Sequence, residues 1–571
     1  MRGNSKLRHF LLMSLTLLFY QNCGNFSSNE QGLEAGSSAL SGVQFKCTDD
    51  SLASETKSLV LNKTQYINSI QDLFGEAVLQ SVTGQLSALS DVVNDLDSFE
   101  RQSLISSSVV NSYNMLAESI SDIVVADLKL REKVFGSCSL QSSPPLSCIE
   151  NYIDNFSTKI LRRPLTETEK TFVRSLANGS GDFKVNFASV LAYHLQSPYF
   201  LWRLELGSEN SQPDEKINLS QYDIASRISF SATDSIPDEA LFLAAKGGEL
   251  SSLAAIKSHT MRLLKSPRGQ KKVSKALNWW AQSDRTADLS QLPSALLNGV
   301  TLEGISEAMT SEAEEFVQKT IFVENGSFRD LLTSRVSYAK HPGLAAIYGH
   351  APALQGSAQF NNRRQGLLMR APFLSHNSGR TPLIHRGVHF QKRFLCNTIP
   401  SPTVDIADDR ESDALSHDEL LSTSNREAIA HQTRSSTCMG CHSVINPTGF
   451  LFENFDPLGR IRQSEKIFDN DGVFVRDISV ITNTEVPLSG GEWATMSDAF
   501  DLITYVATSE EGSACVTKNL FRYFNEKKES AQDSCELNRT FELIKDDQRP
   551  IIEALTELIA NEHIGEKVYS P

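Results

Sequence analysis

From Leu59 onward, apolar residues recur at the three- and four-residue spacing that lines one face of a helix: Ile67, Ile70, Leu73 and Phe74, then Val109, Met115, Leu116, Ile120 and Ile123. The pattern predicts a mainly α, multi-module protein. Pro144 and Pro145 interrupt it, and it resumes through Ile149, Ile153, Phe156 and Ile160. Thr166 and Glu169, just after Pro164, have the spacing of a capping box, in which the hydroxyl accepts from an orphan amide while the carboxylate reaches back. Asn218-Leu219-Ser220 and Pro237-Asp238-Glu239 open two further helices, and helical spacing continues through Trp279 and Trp280, expected in the core, and from Ile305 to Val323. Between Phe360 and His417, short apolar pieces broken by Gly379, Pro382, Gly387, Pro400 and Pro402 predict a loop-rich scaffold. Short strands are expected at 472–475 and 478–481, with a turn at Gly490-Gly491, before helical spacing returns from Phe500 to Leu558. These breaks divide the body into modules at 56–143, 144–210, 211–350, 351–470 and 471–571.

The start of the chain has a different pattern. Arg2, Lys6 and Arg8 precede an apolar run from Phe10 to Tyr20, the charged and apolar regions of a signal peptide, too short to span a bilayer. Cys23 follows at once, so residues 1–23 are expected to be a signal peptide and lipobox with Cys23 lipidated, although Tyr20-Gln21-Asn22 lacks the small residues usual before such a cysteine. Secretion with a nearby cut stays open beside it. Residues 24–55, rich in Ser, Gly and Asn, suit a flexible spacer. The expectation is a lipoprotein of the bacterial cell envelope, periplasmic or on the outer membrane, anchored to the membrane by lipid. A formal charge of −15 argues against a nucleic-acid partner, which would need a basic surface.

The sharpest chemical signal is Cys438-Met439-Gly440-Cys441-His442. At CxxCH spacing two thiols reach the vinyl groups of a haem while the imidazole faces its iron. With nine cysteines and twelve histidines in the chain, chance order would give roughly 0.003 such motifs. One haem c is therefore expected, held by Cys438, Cys441 and His442. A zinc site would need a second ligand pair, and no second CxxC or CxxH occurs. A Cys438–Cys441 disulfide stays open, weakened because Gln432 to Thr437 looks like polar loop rather than the strand that feeds a redox helix. For the second axial position Met496 is a candidate metal ligand, with His417 and His431 as alternatives. Glu453 and Asp456 could act as acid or base or as capping groups, and Arg460 and Arg462 could pair with propionates or with surface carboxylates. Export favours disulfides among the remaining cysteines: proximity suggests Cys138 with Cys148 and Cys515 with Cys535, leaving Cys47 and Cys396 by elimination. No GxSxG, GxxxxGK[ST] or HExxH pattern occurs.

Several segments together resemble the planctomycete-type family of large exported proteins built from successive domains of unknown function, one of them a cytochrome c-like CxxCH module. They are Leu61 to Tyr66 with Gln71 to Gly75, Leu161 to Thr166 with Ser197 to Leu201, Ala225 to Phe230 with Leu344 to Gly349, and Cys515 to Phe521. The most specific stretch runs from Arg364 to Leu368, through Arg386-Gly387 and Leu395-Cys396, to the CxxCH, Asn446 to Phe450 and Glu453 to Arg460. Asn446 departs from the family, which usually has aspartate there. The resemblance implies architecture more than activity. The function expected is an envelope lipoprotein passing electrons to or from another exported redox protein. A non-enzymatic envelope scaffold with a Cys438–Cys441 disulfide, part of an envelope assembly, and a peroxidase-like haem enzyme are the alternatives.

Overall fold

A computed structural model describes residues 45, 47, 59–87, 89, 106–179, 182–205, 216–297, 300–399, 415–469, 471–488 and 491–568. Cys23, the signal peptide and nearly all of the spacer lie outside them. Among the described residues no helix is long and apolar enough to cross a membrane. The protein is mainly α, and its strands occur as short antiparallel pairs.

The pair β1 (Leu59–Val60) and β2 (Trp202–Arg203) closes the N-terminal body, which holds α1 (Lys63–Phe74), α2 (Ser107–Ala126) and α3 (Phe183–Leu195). The modules expected at 56–143 and 144–210 share one core here, in which Tyr66, Leu116, Phe135, Tyr152 and Phe200 are fully buried. The Thr166/Glu169 capping box forms as its spacing predicts. Arg162, held at φ 58°, donates to the carbonyls of Tyr199, Phe200 and Trp202. The guanidinium thus ties two of the family-like segments together.

The second body runs from β3 (Lys216–Asn218) and α4 (Gln221–Thr233) to the C-terminal strand β8 (Glu566–Val568), which pairs antiparallel with β3. Between them lie α5 (Pro267–Ala281), α6 (Ile305–Gln318), α7 (Leu383–Phe394), α8 (Asn425–Gln432), α9 (Ser436–Phe450), the hairpins β4 (Ser464–Phe468) with β5 (Phe474–Ser479) and β6 (Thr484–Pro487) with β7 (Trp493–Met496), then α10 (Ala499–Thr508), α11 (Glu510–Asn525), α12 (Ser534–Lys545) and α13 (Ile551–Ile559). One core spans the modules expected at 211–350, 351–470 and 471–571. Trp280 is buried in it against Phe328 and Phe394, and Trp279 beside Tyr523. Arg364, fully buried, donates to the carbonyls of Met369 and Gly459 and lies over Tyr348 and Phe455.

Three expectations need correction. The region 360–417 contains a full helix, α7, because Pro382 occupies its N-cap and Gly387 faces a neighbouring helix rather than breaking the chain. The loop expected at 432–437 is short, since helical structure resumes at Ser436 behind the Ser435 cap. Cys515 pairs with Cys396 and Cys47 with Cys535, whereas Cys138 pairs with Cys148. Proximity identifies a partner ten residues away in a loop. It fails for Cys515 and Cys535 because α11 carries the chain roughly 15 Å onward between them, while packing against the end of α7 sets Cys515 beside Cys396.

Candidate functional site

α9 begins where Ser435 accepts from the amide of Cys438 (3.2 Å). At 3.6 residues per turn Cys438, Cys441, His442 and Ile445 fall along one side of the helix. The first three are half-buried and Ile445 is buried. Neither thiol belongs to a disulfide. Burial, reinforced by Cys438, pushes the Cys441 thiol above its ordinary value, so it stays protonated at neutral pH.

A hydrogen-bond chain fixes the imidazole. The Thr433 hydroxyl donates to the Ile429 carbonyl (2.7 Å), the usual use of a helical threonine, and so presents its lone pair to the amide Nδ2 of buried Asn446 (2.8 Å). That orientation turns Asn446 Oδ1 toward His442 Nδ1, 2.8 Å away. An amide oxygen can only accept, so Nδ1 carries a proton, and in the neutral ring the lone pair then lies on Nε2. Two thiols and an imidazole on one helix face, with Nδ1 of the ring anchored, are the groups that c-type haem attachment requires. Thr433, thirteen residues from Asn446, carried no signal in the sequence.

The helix is held by α7, which crosses it at backbone contact. A Cβ on Gly387 would overlap the Ile445 carbonyl, and one on Gly449 the Leu383 carbonyl. Beside the crossing, Gln391 donates to Thr448 Oγ1 (2.6 Å), Phe390 packs on Phe452, and Arg386 donates to the carbonyls of Leu374 and Phe452.

The other expected site residues serve the fold. Met496 is buried in the core on β7, which leads into α10, and the first amide of α10, at Ala499, bonds the Leu451 carbonyl. The Leu451 carbonyl lies at the far end of α9, roughly 13 Å along the axis from His442. His417 is exposed on a short helix, and His431 bonds Arg434. Asp456 accepts from the amides of Leu458 and Arg460 and from the Arg460 guanidinium, closing a turn. Arg462 reaches the Glu453 carbonyl and Thr381.

Glu453 differs from these, since it is 1% exposed with Oε2 lacking a hydrogen-bond partner among the described residues. Burial, and then Glu465, raise its carboxyl from 4.5 to about 7. The folded protein keeps this proton where the unfolded chain has released it. The stability it contributes is present below pH 4.5 and is lost as pH rises through about 7. Glu453→Gln should therefore stabilise the protein by about 1 kcal/mol at pH 8 and change little at pH 5, as melting curves at the two pH values would show. A gain of equal size at both would reject the buried proton.

Fold and site define a mainly helical, multi-module protein with two thiols and an oriented imidazole on one helix. Residues 219–350 match the model of PSD4, described as a protein of unknown function (DUF1592). Residues 364–465, which include α7, α8 and α9, match that of PSCyt3, a protein of unknown function (DUF1588). The chain is similar to both over those stretches, and the second name is cytochrome-related. No curated protein and no solved structure matches it.

Proposed function

We propose that the protein is an envelope lipoprotein, tethered through Cys23, that binds one haem c and passes electrons to or from another exported redox protein. Cys438 and Cys441 would add their S–H bonds across the two vinyl groups, and His442 Nε2 would face the metal. The observation that carries this reading is the chain from Ile429 through Thr433 and Asn446 to His442, which holds Nε2 as a lone-pair donor beside both thiols. When bound, the group supplies one-electron transfer. The protein's own residues orient the imidazole, fix its proton on Nδ1 and hold the helix against α7.

Expression in a host that matures cytochromes c should give a protein whose intact mass exceeds the processed chain by one haem, and Cys438→Ala with Cys441→Ala should abolish that gain. A colourless protein with both thiols intact would sink the proposal. A loss of two hydrogens at this pair would favour the scaffold reading instead.

A further inference from the structure

α7 carries a second arrangement on the side turned away from α9. His385 and His389 are one helical turn apart and lie on one stripe, while Gly387 between them points at α9. Their Nε2 atoms stand 3.0 Å apart, with ring centroids at 4.1 Å and planes at 46°. A linear N–H···N bond between two imidazoles would hold the centroids roughly 5 Å apart. The rings therefore meet at an angle, and in their hydrogen bond one Nε2 carries the proton that a bound ion would displace. Two imidazole nitrogens, each about 2.1 Å from one ion and set near a right angle, stand about 3.0 Å apart.

Neither ring holds a second proton at neutral pH. Burial, then His385, Arg393 and Lys392, hold His389 down to about 3, and burial with Arg386 lowers His385. His385 is exposed and His389 half-buried, so the pair is open to solvent on the His385 side. His376 completes no ligand set: its Nδ1 accepts from the Ser378 amide (3.1 Å), which leaves the ring proton on Nε2. Among the described residues no group of three or more His, Cys, Asp or Glu is placed to hold an ion. Any ion here would complete its shell with water.

We propose that His385 and His389 chelate one divalent late transition-metal ion, with copper preferred over nickel and zinc, at a solvent-open site separate from the CxxCH helix. Imidazole nitrogens suit these ions, and the affinity order follows their general preference for nitrogen donors. Lys392 and Arg393 oppose a dication locally, while the chain's charge of −15 attracts one at long range.

The test is calorimetric titration of the full-length protein with Cu2+ and with Zn2+, repeated on the Cys438→Ser, Cys441→Ser variant so that the thiols cannot supply the signal. One equivalent should bind, more tightly for Cu2+, and the Cu2+ electron paramagnetic resonance spectrum should show imidazole nitrogen coupling. His385→Gln and His389→Gln should separately weaken binding by about tenfold or more, and His431→Gln should leave it unchanged. No uptake by the parent, or uptake unaltered in His389→Gln with an unchanged melting curve, overturns the proposal. Neither result depends on whether haem is attached.

Discussion

Gly387→Ala is expected to destabilise the protein by about 3 kcal/mol or more, because the added Cβ overlaps main-chain atoms rather than a side chain that could move aside. The carbonyl of Ile445 is fixed within α9, so α7 and α9 would have to separate. Separation strips Phe390 from Phe452 and breaks the Gln391–Thr448 bond. It also shifts the helix that carries the CxxCH. Gly449→Ala should behave alike, since its Cβ would meet the Leu383 carbonyl. Gly440 is the internal control. A Cβ there meets nothing within 4 Å, so Gly440→Ala should be neutral or stabilise the helix by roughly 0.5–1 kcal/mol. Denaturant unfolding of the three variants separates the cases, and equal midpoints for Gly387→Ala and Gly440→Ala would show that the crossing tolerates more space than the backbone contact implies.

What the sequence made legible was local. The helical stripes, the Thr166/Glu169 box and the Cys138–Cys148 bridge each depend on residues within a few turns of one another. The breaker signals at Pro382 and Gly387 misled because their causes are different: one caps a helix, and the other makes room for a second helix 58 residues later, at Ile445. Strand β5 was half legible, since most of its residues are exposed and it lacks the alternation that marks a one-sided sheet. The family-like motifs acquire physical content in the fold. Arg162, Arg364 and Arg386 each bind main-chain carbonyls from a distant segment, so their role is to hold the scaffold. In the site, CxxCH spacing already named three residues. The orientation of the third depends on Thr433, which only the packing of α8 against α9 brings within reach.

Asn446→Asp should lower the reduction potential of the haem-loaded protein, a result that rests on the proposed function. As it stands, His442 Nδ1 gives its proton to a neutral amide oxygen. A carboxylate there would bind that proton more strongly and push electron density onto the ring, favouring the more positive, oxidised state. Hydrogen bonds to charged groups exceed neutral ones by about 1–2 kcal/mol, which for one electron is roughly 40–90 mV. Aspartate cannot donate to Thr433, so the hydroxyl would swing from the Ile429 carbonyl to the new carboxylate and partly offset the shift. Thr433→Val tests the same chain from its far end. It removes the acceptor that orients Asn446 and should move the potential less, while loosening the imidazole. Spectroelectrochemical titration reads both, and a potential unchanged within about 15 mV in Asn446→Asp would mean that this hydrogen bond does not act on the ligand. Aspartate is the residue the family resemblance leads one to expect at 446, so with haem bound as proposed the asparagine would set the site toward the higher end of the potential that its scaffold can support.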